Sequence, residues 1–201
     1  MVPFREWPKM ARLSREIIIT EKIDGTNSSI FIQQEVLETR EAQPDVIAIV
    51  GFQGTEYTIR AGSRNKWITP GKDSDNAGFA RWAQANAAEL VKLGEGHHFG
   101  EWWGQGIQRN YGLKEKKFSL FNVVRWEDPE QRPKCCDIVP VLYKGPFSTP
   151  AIDLVLTVLS EKGSSAAPGF MKPEGIIVWH SAANIGFKKT IEKDEVPKSL
   201  Q

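Results

Sequence analysis

Cysteine is almost missing from this chain of 201 residues: there are two, and they are neighbours, Cys135 and Cys136. Adjacent cysteines make a poor structural disulfide, and without a second pair they do not make a zinc site. Both thiols are therefore read as reduced and incidental. A charge excess of one sign is missing too. The net charge of +1 argues against gripping nucleic acid through bulk electrostatics, while leaving room for a local basic groove. No apolar run is long enough to span a membrane, and the start, Met1-Val2-Pro3-Phe4-Arg5-Glu6, has no signal-peptide pattern. The expectation is a soluble, cytoplasmic protein without a membrane partner. Internal repeats and low-complexity linkers are absent. What the chain does have is 40% hydrophobic residues, enough for a sizeable core, and seven tryptophans. Most of these should be core, and some are available to stack on a base.

Short strands dominate the pattern. Residues 17–20 and 28–33 read as strands, 46–52 with 57–61 as a hairpin, and 97–103 and 118–125 as further strands. A last pair, 175–180 and 185–190, turns around Ser181-Ala182-Ala183. Asn76 to Leu93 reads as one amphipathic helix with Phe79, Trp82, Ala83, Ala87, Leu90 and Val91 on its apolar face and Gly94 as its stop. A second helix opens at Thr149-Pro150, as N-cap and first-turn proline, and closes at Gly163. Many strands and few helices, without regular βαβ alternation, predict a largely antiparallel α+β fold.

Directly after the apolar run Ile17-Ile18-Ile19 stands Glu21-Lys22-Ile23-Asp24-Gly25-Thr26-Asn27. A lysine at the end of a buried strand loses part of its solvation, which favours the neutral amine. Such an amine can attack phosphorus or a carbonyl carbon and form a covalent intermediate. Taken alone, these residues fit an Asp-Gly turn with an exposed lysine better than they fit a nucleophile. Other segments bear on the choice. Arg64, in Ala61-Gly62-Ser63-Arg64-Asn65-Lys66-Trp67, is either a phosphate-gripping fork or a solvated loop arginine. Glu101, inside Phe99-Gly100-Glu101-Trp102-Trp103-Gly104, needs a partner in its apolar strand: a ribose hydroxyl, a cation, or an internal salt bridge. The glycine-rich stretch from Gly106 to Gly112 is either a close backbone approach to a ligand or an ordinary turn. In Phe118-Ser119-Leu120-Phe121-Asn122-Val123, alternation puts Phe118, Leu120 and Asn122 on one face and Ser119, Phe121 and Val123 on the other. Glu174 opens an apolar strand and can hold a divalent metal. Lys188 and Lys189 on the next strand can neutralise phosphate oxygens or simply be solvated.

The order of these segments is lysine, arginine loop, glutamate strand, aromatic strand, glutamate-glycine strand, lysine strand. It resembles the covalent nucleotidyltransferase superfamily of ATP-dependent ligases and capping enzymes. The Glu-Lys-x-Asp-Gly-Thr-Asn form, Gly-Glu-Trp-Trp-Gly with its Gly-Ile-Gln-Arg follow-on, and Glu-Gly-Ile-Ile-Val look like its ATP-dependent RNA ligase family. The resemblance runs from about Glu16 to about Lys198. It implies a nucleotidyltransferase domain of two largely antiparallel sheets flanked by helices, with an ATP cleft between them. It implies that Lys22 takes AMP as a phosphoramidate, that Glu21 helps read the adenine edge, and that Asp24 supplies a polar group beside the nucleophile. Asn27 would serve later joining steps, and Arg64 would contact the nucleotide and the RNA 5′ end. Glu101 would bind the ribose, Phe121 (or Phe118) would stack on adenine, and Glu174 would associate with Mg²⁺ or Mn²⁺.

Two departures from the family pattern stand out. Its last motif spaces two lysines by one residue, whereas Lys188 and Lys189 are adjacent, and Lys188 aligns with the first. The chain also ends soon after that motif, so residues 1–201 are expected to be one nucleotidyltransferase domain without an OB or other C-terminal domain. A separate subunit would then be a possible source of nucleic-acid grip. The expected activity is an ATP-dependent RNA ligase. It would form lysyl-AMP, pass AMP to an RNA 5′-phosphate and seal it to a 3′-hydroxyl, at ends or nicks. A DNA or mixed-strand ligase and a catalytically reduced nucleotide- or RNA-binding module are the alternatives.

Overall fold

A computed structural model describes residues 2–34 and 43–195. Residues 196–198, the end of the family resemblance, lie outside the described residues. The chain divides into two compact units, one formed by Met1–Lys22 with Pro140–Gln201 and the other by Ile23–Val139. In chain order the first half carries β1 (Glu16–Lys22), β2 (Thr26–Gln34), β3 (Val46–Phe52), β4 (Thr55–Gly62) and β5 (Trp67–Ile68). Then come α1 (Phe79–Ala85), α2 (Ala87–Leu90), a 3-10 turn at Val91–Leu93, β6 (Gly96–Gly104) and β7 (Lys116–Leu120). The rest is β8 (Cys136–Ile138), β9 (Val141–Pro146), α3 (Thr149–Lys162), β10 (Gly175–His180) and β11 (Ile185–Thr190). Among the described residues no helix is long and apolar enough to cross a membrane.

The unit built from the two ends of the chain holds a four-stranded antiparallel sheet in the order β11-β10-β1-β9. Ile17, Ile19, Ile176 and Val178 occupy one face of it and pack with Leu159 of α3. Ser148 caps α3: its Oγ accepts the Ala151 N–H at 3.3 Å, so Thr149 is the first helical residue and not the cap. Gly163 stops α3 at φ 84°, as expected.

The Ile23–Val139 unit holds a seven-stranded sheet, β3-β4-β2-β6-β7-β8 with β5 added on β4. All its pairings are antiparallel except β7 with β8. Ile30, Ile32, Ile59, Trp102, Phe118 and Leu120 form its core with Phe79, Ala83, Leu90 and Val91. The apolar helical face expected between 76 and 93 is therefore buried, but the helix is shorter and broken. The Asp75 carboxylate accepts the N–H groups of Asn76 and Ala80, both at 2.7 Å, and the helix begins only at Phe79. Asn86 then leaves helical geometry (φ −105°, ψ 14°), and its side-chain amide donates to the Trp82 carbonyl at 2.8 Å. Strand β7 ends at Leu120, earlier than the expected 125, because the Asn122 side chain accepts the Arg125 N–H and starts a turn. Strands β5, β8 and β9 have no periodic signature: two are three residues or shorter, and β9 contains Gly145 and Pro146.

Candidate functional site

In the first unit, the alternation of β1 sorts its side chains between two environments. Ile17, Ile19 and Glu21 lie opposite His180, Val178 and Ile176, on the α3 side. Ile18, Thr20 and Lys22 lie opposite Trp179, Ile177 and Gly175, on the other. Lys22 thus sits where buried Ile17 and Ile19 fix the strand, and its Nζ donates to the Glu174 carboxylate. Glu174 itself is 7% exposed, so it is a carboxylate that needs this partner. It is held in place by Gly175. At φ 155°, a Cβ there would lie 2.3 Å from the Lys189 carbonyl oxygen and 2.7 Å from the Thr190 Cα. Only glycine lets β11 run this close.

The same register separates the adjacent lysines. Lys188 pairs with Ile177, on the Lys22 side of the sheet. Lys189 pairs with Ile176 on the α3 side, where its Nζ meets Asp153 of α3 at 2.6 Å.

Glu21 is 1% exposed. Its carboxylate accepts the Ser164 hydroxyl at 2.6 Å and the N–H groups of Ser165 and Ala166 at 2.8 and 2.9 Å. Burial raises its pKa, against the lowering effect of these three donors. In this structure the side chain ties the turn after α3 to β1. Nothing in the local sequence links Glu21 to Ser164, because the two are 143 positions apart.

In the second unit, the Asp24-Gly25 turn is clamped by the stretch after β6. The Asp24 N–H donates to the Tyr111 hydroxyl at 2.7 Å, and Arg109 Nε donates to the Asp24 carboxylate at 2.9 Å. The Gly25 N–H donates to Glu101 Oε1 at 3.1 Å. A Cβ on Gly25 would lie 2.5 Å from the Trp102 carbonyl oxygen, so the turn needs glycine to seat against β6. The stretch that reads as a glycine-rich turn is a scaffold for Asp24. Gln108, Asn110 and Tyr111 all have positive φ (45°, 60° and 51°), which non-glycine residues rarely adopt. Tyr111 is buried with its ring edge-on to Trp103 at 5.0 Å. Arg109 and Tyr111, which hold Asp24, are the members of this candidate site that sequence reasoning missed. The one signal was the density of glycine around them, at Gly104, Gly106 and Gly112.

Asn27 lies opposite Glu101 across the β2–β6 pair, so both are on one sheet face. Arg64 is exposed in the turn between β4 and β5. The two phenylalanines differ in burial. Phe118 is fully buried, with its ring 5.0 Å from Phe79 and 5.6 Å from Trp82, whereas Phe121 is 39% exposed. Phe121 extends the Glu101 face, since Glu101 pairs with Ser119. Cys135 and Cys136 are free thiols, as expected, with sulfurs 3.9 Å apart. Their hydrogen bond lowers the Cys135 pKa and, with burial, raises that of Cys136.

Two antiparallel-rich sheets with helices, a lysine-carboxylate pair in one unit and a clamped Asp-Gly turn in the other, make this a mixed α+β protein. The RNA ligase family model matches residues 15–191, and the chain belongs to that family. Solved structures of Naegleria gruberi RNA ligase are similar. A glutamate-to-alanine variant with ATP and Mn matches at 18% identity over 90% of this chain and 51% of that one, with a TM-score of 0.60. A lysine-to-alanine variant with ATP and Mn matches at 17% identity over 89% and 50%, with a TM-score of 0.59. A lysine-to-methionine variant with AMP and Mn gives 17%, 89% and 50%, and 0.55. At such identity the likeness establishes the fold, and this chain spans about half the length of those proteins. No curated protein matches the chain.

Proposed function

We propose that the chain is an ATP-dependent RNA ligase that works through a lysyl-AMP intermediate on Lys22. The observation that carries the reading is the Lys22–Glu174 pair at the end of a buried strand, within a chain of the RNA ligase family. Lys22 attacks the α-phosphate of ATP in line. A phosphorus–nitrogen bond forms, the bond to the bridging oxygen breaks, and pyrophosphate leaves. The amine must shed a proton to attack, and Glu174 is the acceptor its Nζ already touches. Lys188, on the Lys22 side of its sheet, screens charge on the phosphates. Lys189 is engaged with Asp153 and has a structural part.

In the second unit, Phe121 stacks on the adenine, and Glu101 and Asn27 face the ribose. Arg64 meets phosphate oxygens, and Asp24 is held in place by Arg109 and Tyr111. The Glu21 carboxylate is buried and held by Ser164, Ser165 and Ala166, so its part in adenine recognition runs through the turn it holds. Among the described residues no three His, Cys, Asp or Glu gather into a metal cluster. A magnesium-type ion takes one or two carboxylates and otherwise phosphates and water, so a single buried carboxylate beside the nucleophile fits it. Glu174 is the carboxylate for it, and the ion when bound supplies further screening of phosphate charge. AMP then passes from Lys22 to an RNA 5′-phosphate, and a 3′-hydroxyl displaces AMP to seal the strand.

Incubation with α-labelled ATP and Mg²⁺ should leave acid-stable label on the wild-type protein and none on Lys22→Ala. Equal label on both would sink the covalent mechanism. Nicked all-RNA, all-DNA and hybrid substrates with 5′-phosphates test the substrate class, and faster sealing of all-DNA nicks would overturn the RNA assignment.

A further inference from the structure

The seven-stranded sheet carries a tier of aromatic rings where an antiparallel sheet ordinarily shows polar side chains to water. Trp67 and Phe99 are 40% and 48% exposed, and His97 is exposed between them. The rings are already stacked. His97 lies 4.4 Å from Phe99 at an interplanar angle of 28°, and 5.5 Å from Trp67 at 23°. Phe31 braces the tier edge-on to His97 at 5.4 Å, and His97 Nε2 is tied to Ser29 Oγ at 3.0 Å. Gly62 leaves room for the Ser29 hydroxyl that holds His97: a Cβ there would lie 2.5 Å from Ser29 Oγ. These aromatics do not serve the core, which lies on the other side with Ile30, Ile32 and Trp102.

Position and charge indicate the occupant. Phe99 lies on the same strand and face as Glu101, and the β6–β7 register places Phe121 beside it. The tier therefore continues directly from the residues proposed to hold adenine and ribose. Two exposed cations, Arg64 and Lys66, lie just before Trp67 in the chain. Flat, stacked, exposed rings bordered by cations are what a single nucleic-acid strand needs: π-faces for successive bases and positive charge for its phosphates.

We propose that Trp67, His97 and Phe99 form a base-stacking platform for unpaired RNA nucleotides, leading the strand towards the Glu101–Phe121 site. The inference rests on the RNA ligase reading for its direction, and its test separates the two. Binding of a short unstructured oligoribonucleotide and of an abasic oligomer of equal length is measured by fluorescence anisotropy. The proteins are wild type, Trp67→Ala, Phe99→Ala and Trp67→Phe, with lysyl-AMP formation followed in parallel by intact mass. Wild type should prefer the base-carrying strand. Trp67→Ala and Phe99→Ala should lose about 5- to 150-fold in affinity for it, from ~1–3 kcal/mol per stacked base, and little for the abasic strand. Trp67→Phe should keep most of the binding, and lysyl-AMP formation should be unchanged throughout. Equal RNA affinity of folded wild type and alanine variants would overturn the platform. So would a Trp67→Ala effect confined to self-association in sedimentation, which would make the face a contact between copies. Absence of lysyl-AMP in every protein, with the RNA effects intact, would overturn the ligase reading and leave the platform standing.

Discussion

Replacing Glu21 separates two roles that a buried carboxylate near a nucleotide can have. In Glu21→Ala, the Ser164 hydroxyl and the N–H groups of Ser165 and Ala166 lose their acceptor. Ser165 is exposed and its N–H turns to water, but Ser164 is buried and Ala166 partly so. Two donors left without an acceptor cost ~1–3 kcal/mol each, and the lost Cγ methylene adds ~0.8 kcal/mol. Removing a desolvated carboxylate offsets part of this, for a net loss of about 2–4 kcal/mol. Glu21→Gln keeps an amide oxygen for the two N–H groups and should cost less than ~1 kcal/mol at neutral pH.

The pH dependence has a definite sign. The folded pKa of Glu21 is raised above its ordinary 4.5. Its stabilising contribution is therefore complete below 4.5 and is lost as pH rises through the folded value. Glu21→Gln should gain stability relative to wild type over that rise. Urea unfolding followed by circular dichroism at acid and neutral pH measures both effects, and amide exchange at Ser165 and Ala166 localises them. Glu21→Ala within ~0.5 kcal/mol of wild type, or wild type gaining on Glu21→Gln as pH rises, would refute the account of the turn. Glu21→Gln that folds normally yet forms no lysyl-AMP would show that the carboxylate itself reads adenine.

Phe121→Ala should raise the ATP concentration for half-maximal adduct formation by about tenfold or more, as expected of one stacked base, while leaving the urea midpoint unchanged. Phe118→Ala should do the reverse, costing ~3–5 kcal/mol of stability as a core truncation. Tyr111→Phe removes the acceptor of the Asp24 N–H and should slow lysyl-AMP formation several-fold in single-turnover mass measurements, with ATP binding by calorimetry little altered. Lys188→Ala should slow adduct formation, whereas Lys189→Ala, which breaks only an exposed pair with Asp153, should change stability by under ~1 kcal/mol and leave the rate near wild type. Equal rate losses for the two lysine variants would contradict their separation across the sheet.

Local pattern determined much of this protein before any fold was known. Short apolar, β-branched runs such as Ile17-Ile18-Ile19 and Ile176-Ile177-Val178 mark strands because branched side chains fit a pleated, buried surface. The β10–β11 pair has the expected ends. The apolar face from Phe79 to Val91 was legible from its helical spacing, although the side-chain hydrogen bonds of Asp75 and Asn86 shortened and broke the helix. The family and the order of its candidate site residues were legible from motifs. Tertiary structure decided what alternation cannot, which is the environment that each face meets. Phe118 and Phe121 differ because Phe118 packs on Phe79 and Trp82 within β7, whereas Phe121 lies just past the strand end, where it opens to solvent. Lys188 and Lys189 differ because α3 lies on one side of this sheet, where its Asp153 meets Lys189. The partners of Glu21 and Asp24 lie 143 and 85–87 positions away along the chain. Pairings across such distances come from strand register and packing of the whole sheet, which no local pattern encodes.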